Sequence, residues 1–191
     1  MFLLRKPSAE QIREFIDAQR GKPFSYAEVG ATQGKLPTAY TVDHNRTKLG
    51  SGARTYAQAV AALRVWKQFD LGWTKIVPPL SPIQAEQIVA VQARSFGVWS
   101  LNACRVVYVI DTDRKFGFAY GTLVAHAERG EERFLVEWDA QDDSVCYDIL
   151  AFSQPEHPLV RLGRPLARML QKRFARDSLQ RMRAACDNLR H

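Results

Sequence analysis

Asp43, His44 and Arg46 stand together in the sequence, and a carboxylate beside an imidazole can tune a general base near neutral pH. Neighbouring residues of an extended segment point to opposite sides, so Asp43 is poorly placed to orient His44 directly. The competing reading is a polar loop that ties itself down by charge-assisted hydrogen bonds. Arg105, Tyr108 and Tyr120 fall on predicted strands, where alternation groups Tyr108 with Val106 and Ile110, and Tyr120 with Phe116 and Phe118. A tyrosine inside an apolar sheet face needs a partner for its hydroxyl. In a cavity that partner is a ligand oxygen; in a filled core it is another side chain or the backbone. Trp66, on the apolar face of a predicted helix, joins these six as a candidate ligand-binding residue.

His126 and Glu128 lie in a predicted hairpin loop ahead of Glu131 and Glu132. Their spacing fits no recognised metal-ligand set, and a solvated loop is the plainer reading. Cys104, Cys146 and Cys186 are odd in number and widely spaced, each in an apolar segment, as buried free thiols would be. No GxSxG, HExxH, phosphate-binding loop or GxGxxG occurs. The sequence therefore points to no metal, no cofactor and no assigned catalytic residue. Asp148 sits mid-strand, facing solvent or pairing with a helix arginine.

A different chemistry is written near the end of the chain. Between Val160 and Arg183 eight basic residues face one acid, Asp177, and so carry the chain's whole net charge of +7. Arg164, Arg168, Lys172 and Arg176 are the candidate anion-binding residues. An exposed basic face can meet RNA, DNA or anionic lipid headgroups. The helix has few aromatics for base stacking and its arginines spread around it, which weighs against nucleic acid and toward a solvated face.

These residues need elements to position them. Ser8-Ala9-Glu10-Gln11 reads as a capping box opening a short helix over 8–20, with Ile12, Phe15 and Ile16 on one face. Residues 24–31 read as extended and 32–53 as a long loop, a kind of segment that often carries function. A helix over 55–69 follows, with Ala59, Ala62, Leu63, Trp66 and Phe69 on one face. The period then changes to two, and predicted strands cover 73–77, 88–96, 104–111, 116–123, 133–138 and 145–152. Short turn-like linkers make them an antiparallel meander. A final helix over 164–189 carries one apolar stripe, including Leu166, Leu170, Phe174 and Met182, and must lie on the sheet.

The 191 residues suit a single domain over 1–191, with the first helix as an extension. A 46% hydrophobic content excludes a disordered chain. No apolar run approaches the ~18 residues of a membrane span, and the start lacks the pattern of a signal peptide, so a cytoplasmic location is expected. The element order implies an α+β fold in which a curved antiparallel sheet wraps a long C-terminal helix, leaving a space where sheet and helix diverge.

Several segments carry a resemblance. They are Phe24-Ser25-Tyr26-Ala27-Glu28-Val29-Gly30-Ala31-Thr32, Val42-Asp43-His44-Asn45-Arg46, Leu49-Gly50-Ser51-Gly52, Leu101-Asn102-Ala103-Cys104-Arg105, Phe116-Gly117-Phe118-Ala119-Tyr120-Gly121-Thr122-Leu123, Gly130-Glu131-Glu132-Arg133-Phe134, Tyr147-Asp148-Ile149 and Phe174-Ala175-Arg176-Asp177-Ser178. In this order they resemble a domain-of-unknown-function family, number 1990, across nearly the whole chain. That family is similar to the START and Bet v 1-like helix-grip superfamily. The resemblance implies the same helix-grip fold and a small hydrophobic partner, such as a lipid, isoprenoid or polyketide-like molecule, bound between sheet and helix. Relatives in that superfamily also include cyclases and hydrolases, which leaves a reaction in the same cavity as the alternative. There His44 or Asp43 would serve as base, and Arg105 would stabilise developing negative charge. One departure from the family pattern is Cys146, where an aromatic residue is expected, with a consequence for the size of any pocket nearby.

Overall fold

The computed structural model describes residues 1–155 and 164–187. Strand β1 (Phe2–Leu3) and helix α1 (Ala9–Asp17) come first, followed by β2 (Thr41–Ser51) and α2 (Gly52–Arg64). A meander follows: β3 (Thr74–Val77), β4 (Ile88–Ser95), β5 (Val98–Asp111), β6 (Lys115–Thr122), β7 (Glu128–Trp138) and β8 (Ser144–Pro155). Helix α3 (Arg164–Asp187) closes the order. The strands make one antiparallel sheet in the order β2-β8-β7-β6-β5-β4-β3, and β1 pairs with the start of β5. This is the helix-grip arrangement, with α3 laid across the inner face of the sheet.

The capping box forms as read: Ser8 Oγ accepts from the Gln11 amide, and Gln11 Oε1 accepts from the Ser8 amide. The long loop does not. From Thr41 the chain is a strand paired to β8, with Asp43 opposite Ala151 and Thr47 opposite Tyr147. Alternation could not reveal it, because both of its faces are largely polar. Charge on an edge strand also protects it from pairing with other chains. Conversely, the segment expected to be extended over 24–31 makes a single bridge, Phe24 to Leu123, before a 3-10 turn at Ala31–Gln33. Helix α2 starts and ends earlier than expected. Its path breaks at Trp66, which is left-handed at φ 57°, and resumes as a 3-10 turn over Lys67–Phe69. The break turns Trp66 and Phe69 down into the core, where both are buried.

The pairing register sorts side chains by face. Phe116, Phe118 and Tyr120 of β6 share the inner face with Phe134 and Val136 of β7 and with Tyr147 and Ile149 of β8. They pack on Ala59 and Leu63 of α2 and on Met182 and Cys186 of α3. The outer face holds Arg105, Gly121, Glu131 and Phe152 in one cross-strand row. Residues 24–33 strap across that row. Tyr26 lies over Gly121, and its hydroxyl donates to Glu131 Oε2 at 2.7 Å. A Cβ on Gly121 would stand 2.1 Å from that hydroxyl oxygen, so the strap fits only over a glycine.

Gly121→Ala should therefore destabilise the protein by about 1–3 kcal/mol through overpacking, read from urea unfolding. In a Tyr26→Ala background, where the space is open, the same change should cost markedly less. Equal costs in both backgrounds would show that Tyr26 is not the obstacle.

Candidate functional site

Sheet and helix do not meet everywhere. On the inner face Ala93, Ser100, Thr122 and Ala151 are too small to reach α3, and a cavity of about 1030 Å³ lies between them and Leu170, Phe174 and Ala175. It is larger than most small-molecule pockets. Its inner end is closed by aromatic packing: Phe174 of α3 meets Phe69 with ring centroids 4.9 Å apart, and Phe69 meets Tyr120 at 6.0 Å. Phe2 and Phe96, both exposed, border it elsewhere.

Glu132 sets a carboxyl group into this largely apolar space. β7 alternates, so Glu132 lies on the same face as Phe134, opposite Tyr120 on β6. The Tyr120 hydroxyl donates to Glu132 Oε2 at 2.8 Å. Protein surrounds Glu132, and the surface it retains faces the cavity. Burial pushes its pKa up to about 7; the Tyr120 hydroxyl opposes the rise, and the negative Glu128 and Asp43 add to it. Burial also holds the Tyr120 hydroxyl well above its ordinary value, with Glu132 adding to the effect.

A second polar group clamps the helix. Arg168 of α3 grips Asp43 of β2 with two parallel hydrogen bonds, Nη1 to Oδ2 at 2.5 Å and Nη2 to Oδ1 at 2.8 Å. This bidentate geometry is the strong form of the pair. Arg168 also donates to Gln171 Oε1, and Gln171 Nε2 donates to Glu128 Oε2 and Ser153 Oγ. Burial raises the Glu128 pKa. His126 is enclosed as well. Its Nδ1 accepts from the Glu128 amide, and burial lowers its pKa to about 4. The expected solvated loop at His126 and Glu128 is thus an ordered entry to β7, longer at its start than the sequence suggests.

Of the seven candidate ligand residues, the structure brings Asp43 and Tyr120 to the cavity. Asp43 and His44 do point to opposite faces. His44 Nε2 donates to Asp148 Oδ2 at 2.5 Å on the outer side, where Arg133 and Arg46 also approach that buried carboxylate. Arg105 is likewise outside, donating to the Lys22 carbonyl and lying over the Phe24 ring. Tyr108 is turned outward by a bulge between Val106 and Tyr108, so it shares no face with Val106, and its hydroxyl pairs with Thr32 Oγ1. Trp66 is a core residue whose indole donates to the Ser81 carbonyl. The base and oxyanion stabiliser proposed from His44, Asp43 and Arg105 therefore do not converge. Cys146 also faces outward, opposite Lys48 and Glu137, and does not shape the cavity.

Among the anion candidates, Arg168 is committed to Asp43, and Arg176 donates to Asp177. Lys172 is exposed. The Arg164 side chain, like Arg161, lies outside the described set. Among the described residues no cluster of His, Cys, Asp and Glu is placed to hold a metal ion. No helix there is long and apolar enough to cross a membrane. The sequence pattern starts this strand at Arg133 and so leaves Glu132 in the preceding loop, whereas β7 begins at Glu128. Stepping back by twos from Phe134 places Glu132 on the core face, and that alternation was the available signal.

A family model described as a domain of unknown function (DUF1990) matches residues 25–181. A UPF0548 protein of Dictyostelium discoideum is 36% identical over the full length of both chains. Another, of Deinococcus radiodurans, is 36% identical over 92% of this chain and 94% of its own. Among solved structures, a hypothetical protein of Helicobacter pylori superposes with a TM-score of 0.55 at 13% identity, covering 85% of this chain and 95% of its own. Human STARD10 superposes at 0.51 with 11% identity, over 97% and 82% respectively. These structures share the fold with this chain.

The raised Glu132 pKa makes stability depend on pH. The folded state favours the protonated acid, so this contribution is complete below the ordinary value of 4.5 and is lost as pH rises to about 7. The loss amounts to roughly 2–3 kcal/mol after screening by solvent in the cavity. His126 acts in the opposite sense, since its buried neutral form loses stability as pH falls from 6.5 toward about 4. Comparison of Glu132→Gln with wild type cancels that second effect. The variant should gain stability relative to wild type between pH 5 and pH 8, as read by denaturation at each pH. A difference that stays flat would show that Glu132 carries no such shift.

Proposed function

The chain belongs to the DUF1990 family, and from that premise we propose that it binds a small hydrophobic molecule, lipid-, isoprenoid- or polyketide-like, in the space between sheet and α3. One observation carries the reading: the cavity of about 1030 Å³ with small side chains on its sheet wall. Interiors normally pack to near-crystalline density. A space this large, framed by a rigid sheet, supports a role in holding something. Its apolar walls favour an apolar guest, because burial of the guest's surface releases roughly 25 cal/mol per Å². The polar end of the guest then meets Tyr120 and Glu132, the polar pair on the sheet wall beside Phe69 and Phe174.

The Asp43–Arg168 clamp has a part in this reading. It ties the first half of α3 to the edge strand, while Phe174 and Met182 hold the second half to the core. The helix is thereby anchored in both halves, and the cavity lies alongside it.

Native mass spectrometry of the gently purified protein should show a discrete added mass that denaturing extraction releases. Titration with Nile red, a neutral apolar dye, should give saturable blue-shifted fluorescence. Ala151→Trp, which fills the cavity from the sheet side, should abolish the dye signal while the protein still unfolds cooperatively. An apo mass together with no dye binding, or dye binding undisturbed in a folded Ala151→Trp variant, would rule the reading out.

A further inference from the structure

Four carboxyl groups are withdrawn from water on β7 and β8, and they are not satisfied alike; Glu128, at the start of β7, accepts from Gln171 Nε2. Glu131, on the outer face, accepts from the Tyr26 hydroxyl, the Gly30 and Thr32 amides and the Thr32 hydroxyl. Asp148, also outer, is held by His44 and Arg133, with Arg46 nearby. Glu132, on the inner face, has one hydrogen-bond partner among the described residues, Tyr120, and no ion pair. Its Oε2 takes that bond, its Oε1 has no donor among the described residues, and the residue lines the cavity.

The charges around it do not supply the missing donor. Asp43 from β2 and Glu128 from β7 are both acids, and both push against ionisation of Glu132. Tyr147 from β8 spends its hydroxyl on Ser178 of α3. Arg168 is already engaged by Asp43 and Gln171, and burial keeps the His126 ring neutral at ordinary pH. Lys172, Arg176 and Arg183 border the cavity from exposed positions on α3, where an ion pair with a ligand is screened by water and contributes little.

Resting on the binding role proposed above, we infer that the ligand's polar end is a hydrogen-bond donor, a hydroxyl or an amine, seated on Glu132 Oε1, and that the cavity discriminates against carboxylate-headed lipids. A donor completes the half-satisfied carboxyl group, and burial makes an unmade bond there costly. A ligand carboxylate beside Glu132 would add a fourth acid to Glu132, Glu128 and Asp43, and like charges out of water repel strongly. The ligand class is thus an apolar alcohol or amine.

The test is displacement of Nile red at pH 8 by three ligands of equal chain length, dodecanol, dodecylamine and dodecanoate, each below its aggregation threshold. With wild-type protein the alcohol or the amine should displace the dye at concentrations at least roughly tenfold lower than dodecanoate, a gap of the size one lost charged contact produces. Which of the two leads identifies the headgroup. In Glu132→Gln the gap should close, the three ligands being compared with one another within the variant. Should that variant not fold, the wild-type gap is followed from pH 8 to pH 6: it should narrow as Glu132 takes up its proton, because dodecanoate stays ionised and a protonated carboxyl group can donate to it. Dodecanoate competing as well as the other two at pH 8, or a gap that survives Glu132→Gln or stays unchanged between pH 8 and pH 6, overturns the headgroup assignment. Dye binding without any headgroup order defeats this inference alone, whereas no dye binding at all defeats the binding role and this inference with it.

Discussion

A carboxyl group taken out of water must find donors, a cation or a proton, and β7 presents two such groups side by side. The pleat sends Glu131 to the outer face and Glu132 to the inner one. Much of the molecule follows from how each is accommodated. On the outer face residues 24–33 wrap across the sheet and deliver four donors to Glu131. That strap needs Gly121 beneath Tyr26, and it brings Thr32 to the Tyr108 hydroxyl and to Arg133. The same Arg133 reaches Asp148, which also holds His44. The outer polar network is therefore a closed structure in which each buried acid has several partners.

The inner face is built the other way. Its aromatic residues form a solid wall from Phe116 to Phe134 and up to Phe174 on the helix. Beyond Tyr120 the wall residues become small, as at Thr122 and Ala151, and a cavity lies between them and the helix. Aromatic packing holds one part of α3, and a bidentate ion pair to the edge strand holds another. Both contacts fix the height of the helix over the gap. An acid with a single donor is tolerable there because a raised pKa lets it keep its proton through most of the acid range.

The strand β2 shows how one element can serve both faces. As an edge strand it needs charge to stay unpaired. Asp43 on one side anchors the helix over the cavity, while His44 and Arg46 on the other join the outer network. Residues that look like one catalytic cluster in the sequence thus belong to two separate structural ties.

Periodicity made much of the architecture legible. Alternation in Phe134, Val136 and Trp138, the three- and four-residue spacing of Ala59, Ala62 and Leu63, and the single apolar stripe of the last helix are local consequences of side-chain direction, and each follows from its own segment. The antiparallel meander and the helix laid upon it came from these patterns. Other features depend on contacts between distant segments and have no local signature. β2 carries polar residues on both faces because its partners are an arginine of α3 and an aspartate of β8. The bulge that turns Tyr108 outward is an offset between two strands. The seat of Glu132 in a cavity, unlike that of Glu131 in a sealed network, depends on what packs over each face. Hydropathy records whether a side chain is drawn from water, and it is silent on which partner, sheet or helix, receives it there.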